Sequence, residues 1–158
     1  MSYVRRRSVI SMIVGTIPCV TPAAEPAKLI IYRPSATRAS IRSSVVSLDG
    51  KAIATLTDCS YAKFDLQPGV HTVQFAFKPW PADREATRIP VSYSLDIAPG
   101  KMYFIGYHPG EMSNAELEET FINYVKRNYA HGGYLGLVHE KAAMDIIVDC
   151  KRIETVLN

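Results

Sequence analysis

The chain of 158 residues has one tryptophan, three cysteines and no apolar run longer than about 13 residues. A run that short falls below the roughly 18 to 20 residues that cross a bilayer as a helix, so no lasting transmembrane helix is expected. An excess of one charge sign is missing too. The formal net charge of +3 is supplied by Arg5, Arg6 and Arg7, and without them 15 basic residues balance 15 acidic ones. Such a balance lacks the footprint of a nucleic-acid binder, and no nucleic acid is expected as a partner. Also absent are a Gly-x-Ser-x-Gly elbow, a P-loop, a Gly-x-Gly-x-x-Gly turn and a Cys-x-x-Cys pair. Nothing therefore marks a catalytic residue, a metal site or a cofactor. What is present, 47% apolar against 21% charged residues, is the composition of a folded globular chain.

Residues 1–24 read as a secretory leader: a short basic start to Arg7, an apolar stretch from Ser8 to Val20, then small residues at Thr21-Pro22-Ala23-Ala24. Arg6-Arg7 also matches a twin-arginine start, so the export route stays open. Cys19 follows the apolar stretch as a lipid-accepting cysteine would, but Pro18 and Thr16 depart from that pattern. The reading favours a cleaved leader over a lipid anchor at Cys19, with one domain over 25–158 in the periplasm or outside the cell.

The mature part is dominated by short β-type runs punctuated by turns. Leu29 to Tyr32 ends at Arg33-Pro34, because proline cannot continue a central ladder. Asp49-Gly50 separates two strand-like runs and fits a type I′ hairpin, which needs positive φ at both central positions. Pro68-Gly69 and Pro99-Gly100 each sit between two further runs, with the proline and glycine order of a type II turn, and each unit reads as a hairpin. Apolar residues alternate at Val91, Tyr93, Leu95 and Ile97 and at Val73, Phe75 and Phe77, as half-buried strands require. In the last third, the capping box Ser113-Asn114-Ala115-Glu116 opens a helix expected over Asn114 to Tyr129. Tyr134 to Val138 is a strand, and the stripe Ala143, Ile146, Ile147, Cys150, Ile153 and Leu157 favours a second helix from Glu140, with a strand as the alternative. The fold class is mainly β (α+β): an antiparallel β-sandwich of about seven strands with two C-terminal helices.

Without Cys19, the two remaining cysteines form an even pair in an oxidising compartment, which predicts a Cys59–Cys150 disulfide; two buried free thiols are the alternative.

The run from Cys59 to Val73, with Asp65-Leu66-Gln67-Pro68-Gly69 at its centre, and Ala98-Pro99-Gly100-Lys101-Met102-Tyr103-Phe104 resemble a family of uncharacterised exported bacterial proteins, many of them lipoproteins. The same hairpins are similar to PEGA-type β-modules. The resemblance implies a β-sandwich acting in the cell envelope and implies no reaction.

Among residues that could carry chemistry, His71 suits a hydrogen bond within its turn, and Asp65 and Asp96 suit turn-stabilising bonds, since both stand just before a Pro-Gly turn. The loop after Lys78 is the best recognition candidate, with Trp80 between two prolines and Arg84 beyond it. The expected function is a non-enzymatic binding or structural module of the cell envelope, its partner an envelope protein or another macromolecule. The alternatives are a small metal-dependent enzyme built on His108, Glu111 and His131, or a carrier of a small apolar ligand.

Overall fold

The computed structural model describes residues 24–35, 42–78, 89–127 and 132–155. Two sheets pack face to face. A six-stranded sheet has the order β10-β4-β1-β7-β9-β8, and a four-stranded sheet has the order β3-β2-β5-β6. The first holds β1 (Ala27–Arg33), β4 (Ser60–Leu66), β7 (Met102–His108), β8 (Phe121–Lys126), β9 (Tyr134–Val138) and β10 (Lys151–Arg152). The second holds β2 (Ser44–Leu48), β3 (Lys51–Leu56), β5 (Gly69–Phe77) and β6 (Val91–Ile97). The β-sandwich with two helices is thus as expected, with ten strands among the described residues where the sequence predicts about seven. The larger sheet is mixed, since β1 runs parallel to β7 and β10 parallel to β4.

Alternation decides which side chain goes where. On β1, Ala27, Leu29 and Ile31 enter the core between the sheets, while Ile30 and Tyr32 join a second cluster with Leu117, Ala143 and Ile147 of the helices. The helices are α1 (Asn114–Thr120) and α2 (Glu140–Ile147), and they cover the outer face of the six-stranded sheet. That sheet is therefore apolar on both faces. On the four-stranded sheet β6 alternates cleanly, with Tyr93, Leu95 and Ile97 buried and Ser92, Ser94 and Asp96 exposed.

Three expectations are corrected. The two Pro-Gly units are not hairpins. β4 and β5 lie in different sheets, as do β6 and β7, so each turn carries the chain from one layer to the other. Turn chemistry reverses the chain without choosing its neighbour, and crossing buries the inner residues of both strands, Ala62 and Phe64 against Val73 and Phe75. The first helix stops at Thr120, and Phe121–Lys126 pairs with β9 instead. A run of β-branched and aromatic residues beside an available strand gains more from the ladder than from a helix. The second helix stops at Ile147, and Lys151–Arg152 joins β4. The capping box at Ser113 and Glu116 is formed as read.

Candidate functional site

Lys78 stands exposed at one end of the sandwich, directly after Phe77, and its backbone N–H donates to the Ser43 carbonyl at 3.0 Å. Trp80 and Arg84, the other members of the predicted recognition loop, lie outside the described residues. Beneath Lys78 the end of the core is closed by cations and rings. Arg33 is fully buried and Arg127 nearly so, and their guanidinium carbons lie 5.7 and 4.8 Å from the centre of the Phe77 ring. Tyr107 stacks on Phe75 with centroids 5.4 Å apart and meets Phe77 edge-on at 5.5 Å. Arg33 donates to the Arg42 carbonyl and to Ser44 Oγ, and the Tyr107 hydroxyl donates to the Gly132 carbonyl at 3.1 Å. Burial pushes the Tyr107 phenol up, opposed by its bond from Arg127, and burial lowers the Arg33 guanidinium, opposed by Asp58 and Tyr107. These side chains form a buried cluster of cations and rings around Phe77, the residue that precedes the exposed Lys78.

The residues proposed for a metal-dependent enzyme are engaged otherwise. His108 is buried, with Nε2 2.8 Å from the Tyr32 hydroxyl and its ring edge-on to Phe121 at 5.1 Å. Burial lowers its pKa to about 4, so the imidazole is neutral at pH 7 and shares one hydrogen bond with the Tyr32 hydroxyl. Glu111 accepts from Lys126 Nζ at 3.0 Å and from the Tyr134 hydroxyl at 3.1 Å. His131 lies outside the described residues, and among the described residues no group of three His, Cys, Asp or Glu side chains is placed to hold a metal.

The turn residues are locked by bonds the spacing alone does not show. Asp49 and Gly50 both take positive φ, 50° and 81°, as the hairpin reading requires. Asp49 accepts from the Thr72 N–H at 2.8 Å and meets His71 Nδ1 at 2.7 Å, while His71 Nε2 reaches the Gln67 carbonyl at 2.8 Å. His71 thus ties the Asp49-Gly50 hairpin to the Gln67-Pro68-Gly69 crossing. Partial burial pulls the His71 pKa down, but the bonds to Asp49 and Gln67 outweigh it and hold the ring above its usual value. At Pro99-Gly100 the Tyr103 hydroxyl accepts from the Ala98 N–H at 2.9 Å, and the Gly100 N–H donates to Glu25. Asp65 bonds across its strand pair to Lys28 at 3.2 Å.

Cys59 and Cys150 form the predicted disulfide, with Cα atoms 4.7 Å apart across 91 residues. It pins the end of α2 to the start of β4, where the Lys151 N–H donates to the Cys59 carbonyl. Cys19 lies outside the described residues, and no described helix is long and apolar enough to cross a membrane.

No family model, no curated protein and no solved structure matches this chain. The sequence reading missed Arg33 and Arg127. The available sign was that Arg33 shares the parity of Leu29 and Ile31 on β1, which directs it into the core.

Proposed function

We propose that the chain is an exported cell-envelope protein acting as a non-enzymatic binding module, and that the sandwich end at Lys78 is its recognition surface. The observation that carries the reading is the Cys59–Cys150 disulfide, a bond that persists in oxidising compartments outside the cytoplasm. The leader-like start of the sequence supports export, and the likeness to exported bacterial proteins and PEGA-type modules supports an envelope role. The buried cluster of Arg33, Phe77, Tyr107 and Arg127 supports recognition at this end, because it gives the exposed Lys78 beside Phe77 a fixed frame before any partner arrives. The partner is an envelope protein or another macromolecule.

The test combines fractionation with intact mass. Protein recovered from the periplasm or medium, beginning near Ala24 or Glu25 and carrying an oxidised cysteine pair, supports the reading. An uncleaved cytoplasmic chain with free thiols overturns it. A photo-crosslinker at Lys78 that joins one envelope component reproducibly supports recognition at this end, and a crosslink that does not depend on position overturns that part.

A further inference from the structure

The two sheets end on β10 and β8 and on β3 and β6, and three of these edges carry protection. β10 is two residues long and both are charged, β3 opens on Lys51, and β6 follows Pro90 and carries Asp96. β8 differs. It is six residues long, has no proline, and exposes Ile122 at 57% and Tyr124 at 40%. Its one charge, Lys126, pairs with Glu111 of the loop before α1 and lies 5.5 Å from the centre of the Tyr134 ring of β9.

The ladder fixes which backbone groups face outward. The Arg127 N–H donates to the Gly133 carbonyl at 2.7 Å, and the register with β9 runs on through Lys126, Val125, Tyr124 and Asn123. Alternation along an antiparallel pair therefore turns the N–H and C=O of Tyr124 and Lys126 to the outer side, where no strand pairs among the described residues. Gly136 of β9 makes room for this arrangement, since a Cβ there would run into the Asn123 carbonyl and the Tyr124 backbone.

We propose that the free edge of β8 takes up an extended apolar segment of a partner protein by strand addition, which gives the envelope-binding reading a second, separate contact surface and rests on that reading. A second copy of this chain fits less well. The register of β8 breaks between Phe121 and Asn123, so two-fold pairing would set each copy's irregular end against the other's regular one. Only Asn123 to Lys126 would remain straight, a strip about 13 Å long. So small a contact is far from the roughly 1,200 Å² or more that a stable dimer buries. A slender segment needs only the outward groups of Tyr124 and Lys126 and apolar side chains to lie over Ile122 and Tyr124.

The probe is a phage-displayed library of random peptides about 12 residues long, panned on the purified protein. Enriched peptides are expected to lack proline and to alternate apolar residues. They should slow hydrogen exchange at the Tyr124 and Lys126 amides and bind Tyr124→Lys or Ile122→Lys at least about tenfold more weakly. Both variants carry their change on an exposed residue, and unchanged melting curves establish that they fold. No enrichment, protection at another surface, equal binding to both variants, or self-association lost in Tyr124→Lys would each overturn the proposal. An envelope crosslink at Lys78 that persists in Tyr124→Lys would leave the envelope reading standing without the edge. Failed export would remove that reading while peptide binding at β8 still stood.

Discussion

The Tyr32 hydroxyl lies 2.8 Å from His108 Nε2, reaching across Gly106 on the helix-covered face of the six-stranded sheet. The approach exists because residue 106 has no side chain: a Cβ there would sit 2.7 Å from the end of the Tyr32 ring. Burial makes the pair a neutral one, holding the His108 pKa at about 4 and pushing the Tyr32 phenol up.

That pair makes folding stability depend on pH. His108 has a lowered pKa in the folded chain, so its contribution is complete above the unfolded value of about 6.5 and is lost as pH falls through about 4. Denaturant unfolding should show stability falling by roughly 3 kcal/mol over this window from this group. His71 works with the opposite sign, losing its contribution as pH rises through its raised pKa. His108→Gln, whose amide can still hydrogen-bond Tyr32 and does not titrate, should remove the acid-side loss; an unchanged slope in that variant would refute the assignment.

Adding a methyl group at two glycines should separate soft from rigid packing. Gly106→Ala meets a ring that can shift and should cost about 1 to 3 kcal/mol. Gly136→Ala meets backbone of β8 and should cost more, with loss of amide protection along Phe121–Lys126. Equal costs in thermal melts would show that β8 yields as readily as a side chain.

The disulfide closes a loop spanning 91 residues, which corresponds to about 4.6 kcal/mol in the chain-entropy model. Cys59→Ala with Cys150→Ala should lower the unfolding free energy by about that much. Exchange should rise first in α2 and β10, because β10 adds only two residues of ladder to hold that end. A loss spread evenly over both sheets would speak against a local latch.

Ser113→Ala removes the hydroxyl that accepts the Glu116 N–H and disrupts the capping box. The expected loss is about 1 kcal/mol in chemical denaturation, with a smaller loss for Ser113→Gly.

Some elements were legible in the sequence because their cause is local. The end of β1 at Pro34, the Asp49-Gly50 hairpin and the start of α1 at Ser113 each follow from one or two residues whose backbone preference or hydrogen bond acts within a few positions. The continuation of α1 misled. Leu117, Phe121, Tyr124 and Val125 fall at helical spacing, yet the same residues also read as a strand, and pairing with β9 selected it. The sandwich end at Phe77 is half legible: the sequence marks the Lys78 segment but not the buried Arg33 and Arg127, because charged residues are expected outside.

By itself the sequence determined the β-rich class, the turn positions, the alternation that divides inner from outer residues, and a cysteine pair able to bridge. These depend on φ preferences and a two-residue period, both carried by neighbouring residues. Tertiary structure alone decided that the Pro-Gly turns cross between sheets, that β1 lies parallel to β7, and that Arg33 and Arg127 both pack against the Phe77 ring. Those outcomes depend on which buried faces meet across the core, and that choice is made by packing between segments far apart in the chain.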